Sequence, residues 1–161
     1  MLLLSFVQIA QSAPMHFDRY DNYDYWKVTP EVILCQSQSI FSKQDVEYAL
    51  GVWKAKYKRI KVVERCSYKT EFGKIKIVDG RFLDESHWGY TTYLYADVYR
   101  NNRSVRRFSA ALVQLDRNVN NTDLLIHEMG HAFGYNHYDS HYDVMNSMKD
   151  YWSDYTYTYP Y

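Results

Sequence analysis

The chain reads as a single α+β domain on three observations. Two segments carry apolar residues at helical spacing, and five carry the β-branched and aromatic content of strands. No internal repeat or break in composition divides the 161 residues. A chain of that length buries a core without depending on several disulfides.

The elements follow in order. The opening MLLLSFVQIAQSAP has an apolar run from Leu2 to Ile9, then small residues at Ala10, Ser12 and Ala13. This is the pattern of a secretory leader over residues 1–13, ahead of a domain at 14–161; an apolar N-terminal strand is the alternative. The segment DRYDNYDYW (18–26) is acidic, aromatic and expected to be extended or loosely ordered. VTPEVILCQ (28–36) is a strand with Pro30 near its start. Ser42 is a good N-cap, and Val46, Ala49, Leu50 and Trp53 then recur on one helical face. IKVVERC (60–66) and KIKIVDG (74–80) are strands separated by a polar turn containing Gly73. YTTYLYADVYR (90–100) and VRRFSAALVQLDRN (105–118) are joined by NNRS as an antiparallel hairpin. The last helix begins near Asn120, Asn121 or Thr122, each able to cap it, with Asp123 well placed in the first turn. The core covers about residues 28–150, and a tyrosine-rich tail fills 151–161.

Charge narrows the classes of partner. Lys plus Arg and Asp plus Glu both number 19, so no bulk field draws the chain to nucleic acid or holds it on an anionic membrane. The basic run RNNRSVRR (100–107) fits a solvated hairpin. Cys35 and Cys66 are the only cysteines, and sequence alone allows either one disulfide or two buried thiols.

The chemistry lies in HEMGHAFGYNH, residues 127–137, which holds three of the six histidines. His127 and His131 are four residues apart and share one side of a helix, where two imidazoles can reach one ion at about 2.0–2.1 Å. Glu128, beside the first, can act on a metal-activated water without binding the metal. His137 supplies a third ligand only if the chain turns sharply after the helix. Gly134, midway, can take the positive φ such a turn requires. Three protein ligands and one open position suit a catalytic zinc.

The stretch matches the metzincin signature H-E-x-x-H-x-x-G-x-x-H, and the chain resembles the matrixins among these zinc endopeptidases. The resemblance implies a metzincin-type zincin domain: a mixed, twisted sheet of about five strands with an active-site helix and a backing helix. It also implies a methionine turn, for which YDVMNSM supplies Met145, eight residues after His137. Met148 is the weaker candidate. Astacins and serralysins fit less well, since Ser147 stands where they carry a tyrosine. The implied edge strand is YTTYLYADVY, pairing with an extended protein or peptide substrate through its backbone. The segment from Tyr138 to Met148 shapes the pocket beside the scissile bond.

The departures are equally specific. His87, with Asp79, Asp84 and Glu85, is too sparse a set for a structural zinc, although the acidic residues are compatible with calcium. No cysteine-switch motif is present. Cys35, or an aspartate among Asp18, Asp21 and Asp24, could in principle cap the metal; core packing and solvation are the plainer readings. His141 fits solvent or the rim of the site, and His16 and His87 have no partner spacing. The tail fits aromatic packing or disorder better than a grip on substrate.

The expected function is a secreted or small viral zinc metalloendopeptidase. It is expected to be a monomer, without nucleic acid or stable membrane association. Hydrolysis would run through a zinc-activated water with Glu128 as general base. The rival readings are a zinc-binding but inactive structural module and a zinc peptidase acting on cell-wall peptides.

Overall fold

The computed structural model describes residues 25, 26, 28–53, 60–67, 69, 71–80, 88–100, 102–135, 137 and 145. The chain forms two compact units, Asn22–Asn136 and a second made from Met1–Asp21 with His137–Tyr161. Every helix and strand described belongs to the first; His137 and Met145 are the described residues of the second.

The architecture is α+β. Chain order is β1 (Tyr25–Trp26), β2 (Glu31–Leu34), α1 (Lys43–Trp53), β3 (Val62–Glu64), β4 (Lys74–Gly80), β5 (Gly89–Arg100), β6 (Arg103–Asp116) and α2 (Thr122–Ala132). A 3-10 turn at Gln36–Gln38 links β2 to α1. The sheet is ordered β1-β6-β4-β2-β3, with β5 also on β6. It therefore has six strands, the five expected and the two-residue β1. All pairings are parallel except the β5–β6 hairpin.

The hairpin organises one end of the sheet. β5 pairs along β6 from Gly89↔Leu115 to Arg100↔Arg103, so β4 and β1 must share β6's other edge. Among the described residues β5 has no partner besides β6 and is an edge strand. Asn102 takes φ 59° at the turn, a left-handed conformation that asparagine tolerates and two-residue hairpins need. β6 begins and ends two residues earlier than the pattern 105–118 suggests, because pairing with β5 rather than composition sets its limits.

β2 separates β3 from β4, although the latter two are consecutive in sequence. Glu31 and Lys74 are register partners, and their side chains form an ion pair. That hydrogen bond, more than any other influence, holds the Glu31 carboxyl below its usual range. Parallel strands enclosed by helices bury apolar side chains: Val32, Leu34, Ile75, Ile77, Val113 and Leu115 are all fully enclosed.

Local chemistry starts α1 where expected. Ser42 Oγ accepts from the Asp45 amide at 3.2 Å, and the Asp45 carboxylate accepts from the Ser42 amide at 2.8 Å. This reciprocal pair satisfies donors that a helix leaves open at its start. Val46, Ala49, Leu50 and Trp53 are its buried residues. Trp53 is completely buried, donates Nε1–H to the Ile126 carbonyl at 3.0 Å and stacks on Tyr135 at 4.8 Å. One side chain thus ties the end of α1 to the middle of α2.

Cys35 and Cys66 are disulfide-bonded across a separation of 31 residues. They follow β2 and β3, two parallel neighbours, so the bridge closes a loop containing α1. No described helix is long and apolar enough to cross a membrane.

Closing a loop of this length removes about 3–4 kcal/mol of chain entropy from the unfolded state. Cys35→Ser/Cys66→Ser is therefore expected to lower stability by roughly 2–4 kcal/mol, read as a lower urea midpoint with a steeper slope, because the unbridged unfolded chain is less compact.

Candidate metal centre

α2 carries the site and is enclosed along most of its length. Asn121 caps it, its side chain accepting from the Asp123 amide at 2.8 Å. From Leu124 to Gly130 every residue is buried, including His127 at 2% and Glu128 at 5% exposure. His131 is half-buried. Burial raises the Asp123 carboxyl above its ordinary range, one turn before His127.

The helix ends in a Schellman turn. Gly134 takes φ 92°, its amide donates to the His131 carbonyl at 2.6 Å, and the Tyr135 amide donates to the Gly130 carbonyl at 3.0 Å. Both bonds satisfy carbonyls that a helix leaves open at its end. Two aromatic side chains add to them. Trp26 Nε1–H donates to the Ala132 carbonyl at 2.8 Å, and the Tyr93 hydroxyl donates to the His131 carbonyl at 2.9 Å. Tyr93 stacks on Phe108 at 4.7 Å, which in turn lies against Trp26 at 6.0 Å.

The same turn fixes one imidazole. It brings the Tyr135 carbonyl to 2.7 Å from His131 Nδ1. A carbonyl can only accept, so Nδ1 carries the proton and Nε2 of the neutral ring keeps its lone pair for a ligand bond. His127 and His131 rings lie 4.7 Å apart at 90°, as helical spacing by four places them. The ligand atoms of His127, His131 and His137 all lie within 4.8 Å of one another. Three imidazoles with no thiolate can hold a metal ion of the zinc, copper, iron or nickel type. Nitrogens bound tetrahedrally at about 2.0–2.1 Å sit roughly 3.3 Å apart.

Glu128 sits against the start of β5. The Thr91 hydroxyl lies 2.6 Å from Glu128 Oε2 and 3.1 Å from the Glu128 carbonyl. Gly89 leaves room for the carboxylate: a Cβ there would come within 2.6 Å of Oε1. Sequence reading passed over Gly89, Thr91 and Tyr93. Their signal was a glycine opening a strand with polar side chains at alternate positions after it.

The other candidates fall as follows. Met145 is fully buried. Cys35 is in the disulfide and cannot cap a metal as a thiolate. Asp79 is occupied structurally, accepting from the Ile40 amide at 2.9 Å and facing Arg117 at 3.4 Å. Asp84, Glu85 and His87, the rest of the set judged too sparse for a structural zinc but compatible with calcium, lie outside the described residues. So do His16, Asp18, Asp21, Asp24, His141, Met148 and the tail 151–161.

A left-handed φ strains any side chain at position 134 by about 1–2 kcal/mol. Gly134→Ala is expected to lower stability by about that amount and to weaken metal binding about 10–100-fold through the loosened His131 ring. Paired denaturation and calorimetric titration measure the two effects; an unchanged metal affinity would separate the turn from the site.

Comparison with protein families, with curated proteins and with solved structures finds no match for the chain.

Proposed function

We propose that the protein is a secreted zinc endopeptidase of metzincin type, similar to matrixins. The observation that carries the proposal is the grouping of His127, His131 and His137 on and just beyond one helix that also bears the buried carboxylate of Glu128. Three neutral imidazoles suit zinc, with a coordination position left open.

Bound there, zinc would supply Lewis acidity, lowering the pKa of a water ligand and polarising the scissile carbonyl. Glu128 takes the proton of the attacking water and delivers it to the leaving amine. Its low exposure keeps bulk water from competing for that proton. The edge of β5 away from β6, which pairs with no other strand among the described residues, offers backbone donors and acceptors to a substrate peptide lying extended beside it. Gly89 and Thr91 place that edge directly over Glu128. After the two-residue β1, the chain order supports the reading too: β2 and β3 around α1, then β4, the edge strand β5, and β6 leading into α2. The Cys35–Cys66 bridge agrees with an oxidising compartment, and hence with export.

One observation favours a second reading, a zinc-binding module without activity. Glu128 is 5% exposed and its carboxylate already engages Thr91. An idle glutamate would look the same.

Glu128→Gln separates the two. In an active enzyme it retains one equivalent of zinc while kcat on casein falls about 10²–10⁴-fold. Casein left intact by zinc-loaded wild type would contradict the peptidase reading and favour the module. Zinc itself is expected to dissociate as pH falls into the acid range, because protons compete with it for the three imidazoles. Metal content after dialysis across that range checks this.

A further inference from the structure

The contact between β5 and Glu128 goes beyond packing. Gly89 and Thr91 are two residues apart on a strand, so both face the side of the sheet that carries α2. They meet the two oxygens of one carboxylate differently. A Cβ on Gly89 would sit 2.6 Å from Glu128 Oε1, 2.7 Å from Cγ and 2.8 Å from Cδ, closer than real Cβ contacts. Those three atoms belong to a nearly buried side chain that has little room to retreat. Thr91 supplies a hydroxyl 2.6 Å from Oε2. A hydroxyl has one proton to donate, and the carboxylate oxygen at 2.6 Å is better placed to take it than the carbonyl at 3.1 Å.

Two further residues on, Tyr93 fastens the same strand face to the His131 carbonyl. Three alternate positions of β5 therefore register the strand against the turn of helix that holds Glu128 and His131. Thr91 is 37 residues from Glu128 in sequence, so this registration is wholly tertiary.

We infer that Gly89 and Thr91 are positioning residues for Glu128, forming a cradle that sets the aim of its carboxylate and couples it to the strand a peptide would pair with. The inference rests on the peptidase reading for its consequence in catalysis, and on geometry alone for the cradle. Thr91 holds Oε2 by donation, while the missing side chain at Gly89 lets Oε1 lie flat against the strand. A shift of β5 on pairing with a peptide would carry the base with it.

Two measurements test this separately. The first is a double-mutant cycle in thermal unfolding of the metal-free protein, combining Gly89→Ala with Glu128→Ala. The cradle predicts that Gly89→Ala lowers Tm by several degrees alone, and by no more than about 1 °C once the Glu128 side chain is gone. Equal shifts in both backgrounds, or no shift in either, would overturn it. The second compares Thr91→Val with Thr91→Ser in peptide hydrolysis. Thr91→Val is expected to lower kcat about 10–100-fold, with KM and zinc content unchanged, and Thr91→Ser to restore most of it. Wild-type kcat in Thr91→Val, or no recovery in Thr91→Ser, would remove Thr91 from that role. If wild type cleaves nothing, the peptidase reading falls, and the unfolding cycle still decides the cradle.

Discussion

The turn that ends α2 at Gly134 is the constraint on which the site depends. A helix alone can align His127 with His131, but it cannot choose which nitrogen of His131 is free. That choice is made when the left-handed Gly134 sends the chain back and delivers the Tyr135 carbonyl to His131 Nδ1. The bonds that close the turn also satisfy carbonyls that would otherwise be orphaned in a nearly dry setting. A buried helix end without such partners would cost about 1–3 kcal/mol for each orphaned carbonyl.

α2 and its closing turn are braced from several directions. Trp26, from a strand of two residues, reaches the Ala132 carbonyl; Tyr93, from the hairpin, reaches that of His131; Trp53, from α1, reaches that of Ile126. Each aromatic residue brings a large apolar body into the core and a polar tip to a backbone oxygen. A tyrosine- and tryptophan-rich composition thus has a local use: these side chains combine core volume with hydrogen bonding to α2. These bonds hold α2 around the positions of His127 and His131. His137 lies beyond the turn and is exposed.

How far the sequence reveals this varies with the range of the cause. α1 and α2 are legible because capping residues, periodic apolar positions and the glycine at 134 all act within a few residues of one another. The His127–His131 pair and Glu128 are legible for the same reason. β1 is not: Tyr25 and Trp26 form a strand only because Arg107 and Phe108 lie alongside. The place of β2 between β3 and β4 is equally hidden, since the short turn around Gly73 says nothing of a strand inserted from earlier in the chain. Gly89 and Thr91 were missed because their partner lies nearly forty residues away, and a threonine in a tyrosine-rich strand reads as an ordinary β-former. The disulfide is hidden for the same reason: sequence counts thiols, while only the parallel pairing of β2 and β3 brings these two together.

The claim that bears the most weight is that three imidazoles, with Glu128 beside them but unbound, hold one zinc. X-ray absorption at the zinc edge of the stoichiometrically loaded protein tests it most directly. The expected spectrum has three imidazole nitrogens and one further light atom at about 2.0–2.1 Å, and is unchanged by Glu128→Gln. A sulfur shell near 2.3 Å, fewer than three imidazoles, or a first shell altered by Glu128→Gln would contradict the account.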